Sequence, residues 1–222
     1  VNLEKKLTLQ SIRSQLEQPF NVAFNNLREI MYPEHPYGFS ILGTEATVTS
    51  LNREDLLKYH QTYFRPDNLI ISLSGRIEVE RVIELIDRVF GDWKVPNTPT
   101  INLQIPELTS QPSTVTKIQD TQQAIVMLGY LTASINSKDY PALKLLSTYL
   151  GNGLSSRLFV ELREKRGLAY DVSAFYPTRQ YQAQFVTYMG TAPQNKERAI
   201  AGLRTEVERL CETPLTHEEL KA

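Results

Sequence analysis

The sequence predicts an α+β protein built from two related halves. A unit of strand, glycine, short turn and amphipathic helix occurs twice, in "NLIISLSGRIEVERVIELIDRVF" and "AQFVTYMGTAPQNKERAIAGLRTEVERL", with Gly75 and Gly190 115 positions apart. Between the copies, "KVPNTPTINLQIPELTSQ" holds three prolines and little periodicity, as an interdomain linker does. The copies share a pattern more than residues, and the first reads as missing its beginning.

The elements follow in order. Leu3, Leu7, Ile12 and Leu16 recur at near-helical spacing, giving a helix over 1–18 that ends or kinks at Pro19. A second helix covers about 21–31, and "YPEHPYG" makes a loop. Asn52 caps a short helix that stops before Arg65-Pro66. "NLIISLSG" reads as a buried strand, and an amphipathic helix from Glu78 closes at Gly91. In the second half, "QQAIVMLGYLT" is a strand, and "SKDYPALKLLSTYLG" is a helix with Pro141 near its first turn. "GNGLSSRLFVELREKRG" holds a helix capped by Ser155 and ended by Gly167. "LAYDVSAFYP" and "QAQFVTYMG" are strands joined by "TRQY", and a helix follows from about Ala192. Thr216 and Glu219 have capping-box spacing, so a helix would start just before the sequence stops. The opening also reads as the inside of a helix. The 222 residues are therefore expected to be a piece of a longer protein. The expected boundaries are 1–95 for the first domain, 96–111 for the linker and 112–222 for the second.

Composition excludes several classes. With 41% hydrophobic and 22% charged residues, the chain has ordinary globular composition. The net charge of −1 gives no overall basic footprint for nucleic acid. No apolar run reaches the roughly 18 residues of a membrane helix. Cys211 is the single cysteine, so an intrachain disulfide and a thiolate zinc cluster are both excluded.

The chemistry concentrates in "LREKRGLAYDV". Arg163 falls in the last turn of a helix that Gly167 stops, and Tyr170 falls on the strand beyond, on the face of Leu168 and Val172. A guanidinium offers a fixed fork of donors to carbonyl or carboxylate oxygens. A phenol can donate to an oxygen gaining negative charge. Such a pair could hold a peptide and stabilise an oxyanion. Spacing alone is served first by a plainer reading, an arginine complementing the helix dipole and a core tyrosine. Elsewhere, His35 reads as a loop hydrogen-bonder, His60 as half-buried packing and Cys211 as structural. "GNGLSS" reads as a turn plus cap, since no P-loop lysine follows it.

"GNGLSSRLFVELREKRGLAYDVSAFY" resembles the second-domain signature of the insulinase-like (pitrilysin, M16) zinc peptidases, and most closely their bacterial processing-peptidase-like members. "HPYGFSILGTEATVTSLNREDLLKYHQTYFRPDNLIISLSGRI" follows the same family through loop, helix and strand, so the resemblance covers nearly the whole chain. It implies an α+β fold of two related units, each of mostly antiparallel sheet with helices on one side, the first truncated at its N-terminus. It also implies substrate-binding roles for Arg163 and Tyr170. The family's zinc lies in the other half, on an inverted HxxEH motif and a later glutamate, and activates water against a peptide carbonyl.

The chain departs from that family twice. His35, His60 and His217 are too far apart to form an HxxEH motif, which would lie before Val1. In the first helix, Glu4 matches the family's first glutamate, but the zinc-ligand position falls at Ser11, beside Gln10. Shifting the register to use Glu4 or Glu17 breaks the match at Pro19. Some members of the family pair a zinc subunit with one that has lost the ligands and keeps the Arg/Tyr pair. The chain is expected to be of the second kind: inactive alone, without zinc, binding peptide, and paired with a zinc-bearing M16 subunit or a second copy. The alternatives are a zinc metalloendopeptidase whose HxxEH lies upstream and a core-protein-like structural subunit. No nucleic-acid partner and no membrane segment are expected.

Overall fold

The computed structural model describes residues 1–99, 103–109, 111–217 and 219. It is an α+β protein with two compact units, Val1–Leu9 with Thr44–Gln104, and Gln10–Gly43 with Ile105–Ala222. Residues 10–43, the second predicted helix and its loop among them, thus belong to the second unit. Of the predicted linker, 100–102 and 110 lie outside the described residues. Its described remainder forms neither helix nor strand.

The first unit takes the start of α1 (Asn2–Glu17) together with α3 (Glu45–Ser50), α4 (Arg53–Tyr63) and α5 (Val79–Phe90). Its helix starts are set by local chemistry. Thr44 and Asn52 both form reciprocal capping boxes, the Asn52 Oδ1 accepting from the amides of Glu54 and Asp55 at 2.7 and 3.1 Å. Arg65, 4% exposed, forks onto Asp67 at 2.7 and 2.8 Å and donates to the Thr98 carbonyl.

The strand predicted at "NLIISLSG" does not form: no strand covers 68–75, and Ile70 is 92% exposed. A strand needs a neighbour's amides and carbonyls, and no described residue of this unit offers them. The apolar face of α5 is equally uncovered, with Val79, Ile83 and Val89 all exposed.

The second unit is built on a three-stranded antiparallel sheet of order β1-β3-β2, with β1 at Ala124–Thr132, β2 at Asp171–Phe175 and β3 at Ala183–Thr191. β1 pairs with β3 along its whole length, from Ala124 opposite Thr191 to Thr132 opposite Ala183. β2 pairs from Asp171 opposite Gly190 to Phe175 opposite Val186. The central strand is consequently almost wholly buried.

α6 (Tyr140–Gly151) and α7 (Lys196–Glu212) close one face over a core of Leu150, Leu158, Leu162, Met189, Ala199 and Leu203, each fully buried. Two glycines permit the contacts. A Cβ on Gly151 would stand 1.9 Å from the Ala174 amide nitrogen. A Cβ on Gly129 would stand 2.4 Å from the Met31 sulfur of α2 (Pro19–Met31), so α2 packs on β1 from the opposite face. Pro19 opens α2, where its missing N–H costs nothing.

Candidate functional site

Arg163 and Tyr170 flank one chain reversal. The helix that carries Arg163 begins at Arg157, after Ser156 rather than Ser155, and the Ser156 carbonyl accepts from Val160 N–H at 3.0 Å. From Phe159 to Glu164 it widens into a π-helix, with Lys165 N–H reaching the Val160 carbonyl at 3.0 Å. Gly167 stops it at φ +59°, in the left-handed region, and donates to the Arg163 carbonyl at 3.1 Å. Leu168 N–H then reaches back to the Leu162 carbonyl at 2.9 Å.

This reversal sorts the side chains. Leu162 and Leu168 point into the core, and Arg163 is exposed. The Arg163 guanidinium lies 4.9 Å from the centre of the Phe159 ring, one turn back. Tyr170 donates its amide to the Gly190 carbonyl at 2.8 Å, while its side chain is 58% exposed. It is therefore not a core tyrosine, and it does not share the inward face of Leu168 and Val172. It precedes the first paired residue of β2, where strand alternation has not yet begun. Among the described residues, neither the Arg163 guanidinium nor the Tyr170 hydroxyl has a hydrogen-bond partner. Both groups stand open to a ligand.

A cavity of about 420 Å³ opens at the start of β2, lined by Pro19, Phe20, Gln123, Ile125, Asp171 and Tyr188 among others. The Tyr188 hydroxyl donates to Asp171 Oδ2 at 3.0 Å; burial, then the Asp171 charge, push the phenol up to about 12. Nothing in the sequence signalled this cavity, because its residues come from α2 and from all three strands and meet only in the fold.

The remaining candidates separate. Glu4 and Ser11 are both exposed on α1. Among the described residues no three His, Cys, Asp or Glu side chains converge as metal ligands. His35 is 1% exposed and accepts from Tyr37 N–H through Nδ1 at 3.0 Å, within a box of Tyr32, Tyr37 and Tyr181. His60 is exposed rather than half-buried, and stacks on Phe64 at 4.7 Å. Cys211 is exposed. No helix among the described residues is long and apolar enough to cross a membrane.

The family described as "Peptidase M16 inactive domain" matches residues 50–222. The chain is 28% identical over 218 residues to the uncharacterized zinc protease YmxG of Bacillus subtilis, covering 98% of this chain and 52% of that protein. It is 28% identical over 220 residues to an uncharacterized zinc protease of Rickettsia felis, covering 99% and 52%. Among solved structures, a protease from Helicobacter pylori superposes with a TM-score of 0.89 at 25% identity, over 98% of this chain and 54% of that one. Complex III from Candida albicans superposes with a TM-score of 0.79 at 15% identity, over 98% and 53%, a likeness of fold alone. The chain spans about half the length of the curated relatives it matches.

Proposed function

The chain belongs to the M16 peptidase family, to the part described as its inactive domain, and we propose that it is the substrate-gripping, non-zinc side of a metallopeptidase acting on peptides. One observation carries the reading: Arg163 and Tyr170 present unpartnered polar groups to solvent from either side of one turn. The Arg163 fork would take a carbonyl or carboxylate of an extended peptide. The Tyr170 hydroxyl would donate to the oxygen that gains charge during cleavage. Zinc, supplied by a partner M16 subunit, would activate the attacking water. Ser11, a neutral hydroxyl at the family's ligand position, is the reason to look for that zinc elsewhere. A zinc-bearing partner subunit would complete the active assembly, and pairing with a second copy alone would leave it without zinc.

The family domains would then be 1–95 and 112–222, joined by 96–111. The uncovered apolar residues of α5 and 69–73 would pack against chain outside these 222 residues, as expected if the protein is as long as its relatives.

A second reading has support in the relatives' names: a zinc protease with its HxxEH upstream and an unusual third ligand. Peptide cleavage by the full-length protein separates the two. The first predicts none alone, cleavage with a zinc-bearing partner, and a loss with Arg163→Ala while the pair stays assembled. Chelator-sensitive cleavage by the protein alone favours the second. A core-protein-like scaffold predicts no cleavage with any partner and no effect of Arg163→Ala.

A further inference from the structure

A buried carboxylate lies beneath the turn that presents Arg163. Glu206 of α7 is 0% exposed and accepts from three arginines. Arg157 Nε reaches Oε2 at 3.0 Å, Arg166 Nη2 reaches Oε1 at 2.9 Å, and Arg209 Nη1 reaches Oε2 at 3.0 Å. Two of these donors bracket the π-helix: Arg157 opens its helix, and Arg166 stands just before the Gly167 stop. The two carboxylate oxygens thus hold the two ends of the segment whose outward side chain is Arg163.

The rest of the contact is tight. The Arg157 guanidinium lies 6.0 Å from the Tyr149 ring centre, so α6 backs it. One turn before Glu206, a Cβ on Gly202 would stand 3.0 Å from Leu162 Cδ2. Leu162, the residue before Arg163, is thereby seated against α7. A π-turn is rare and occurs often at functional sites. The extra residue turns the side chains that follow it, so a helix relaxing to ordinary spacing would rotate Arg163 away. Glu206 holds both ends against that relaxation.

We propose that Glu206, through Arg157 and Arg166, is a positioning residue for Arg163. This inference rests on the substrate-binding reading above. A plain structural ion pair would stabilise the fold equally well, so the test needs a readout that stability alone does not move.

The experiment measures the Kd of the full-length protein for a fluorescein-labelled casein peptide by anisotropy, alongside thermal unfolding and amide exchange. The variants are Arg163→Ala, Glu206→Gln, Arg166→Met and Arg163→Ala/Arg166→Met. Arg166 is partly exposed, so Arg166→Met leaves the core packed if Glu206→Gln fails to fold. Arg163→Ala should weaken binding about tenfold, the loss of one charge-assisted hydrogen bond. Arg166→Met should also weaken binding, and should speed exchange at 160–168 while β1–β3 stay protected. The double variant should bind no worse than Arg163→Ala. If Arg163→Ala weakens binding but Arg166→Met does not, or if their effects multiply, the positioning role is wrong and the substrate reading stands. If the wild type does not bind, or Arg163→Ala binds as wild type, the substrate reading fails and the positioning role with it.

Discussion

The two copies of the strand–glycine–turn–helix pattern have different fates. In the second, Ala183, Val186 and Met189 of β3 are fully buried, and Ala199 and Leu203 of α7 share one core with Ala183 and Met189. In the first, Leu73 is 54% exposed in a segment with no strand, and Val89 of α5 is 68% exposed. The apolar residues are equally suited in both. The difference is the neighbour. β1 and β2 supply ladders and a surface to the second copy, and no described residue does so for the first. A pattern states what a segment can bury, and its surroundings decide whether it does.

Substitutions can break that comparison, beginning where the effect is largest. Leu203→Ala should cost about 2–5 kcal/mol in urea unfolding of the 222-residue chain, through lost transfer energy and a cavity. Ile83→Ala on α5 should change the same unfolding free energy by no more than about 0.5 kcal/mol. In the full-length protein the Ile83 cost should rise toward the Leu203 value. If it stays small there, α5 is not covered by chain outside these residues.

Gly151→Ala should cost about 1–3 kcal/mol, because the added methyl meets the Ala174 backbone and α6 must retreat from β2. Asn52→Ala should cost about 1 kcal/mol, the worth of a lost N-cap. That loss should appear in α4 exchange rates and leave the sheet protected. Breaking the exposed Lys165–Glu161 pair should cost less than about 1 kcal/mol.

A pH titration sharpens the contrast from another side. Burial lowers the His35 pKa from its ordinary 6.5. The unfolded chain therefore takes up the proton first as pH falls. His35 contributes fully above about 6.5, and its contribution is lost as pH drops below that toward the folded value. Protonation would also remove the Nδ1 acceptor of the Tyr37 amide. Unfolding midpoints measured between pH 8 and 5 should fall, and His35→Asn should flatten the profile (pH range chosen around the imidazole, about 6.5).

Local signals were legible wherever one residue decides the outcome. Asn52 caps α4 and Gly167 takes the left-handed stop, each as read from sequence, whereas Pro19, read as the end or kink of the first helix, opens α2. The reversal between Arg163 and Tyr170 was legible because the Gly167 stop is written in adjacent residues. What sequence did not reveal depends on distant partners. "NLIISLSG" reads as a strand, but no strand forms without a neighbour. Tyr170 faces out because β2 pairing begins one residue later. The π-turn has no residue signature, and Glu206 looks like one more charge on an amphipathic helix until Arg157 and Arg166 arrive from another element.

The most direct test is the zinc content of the full-length protein, purified from metal-supplemented buffer. The account predicts zinc well below stoichiometric, with peptide cleavage appearing only when a zinc-bearing partner is added. Stoichiometric, tightly held zinc with chelator-sensitive cleavage by the protein alone would contradict it.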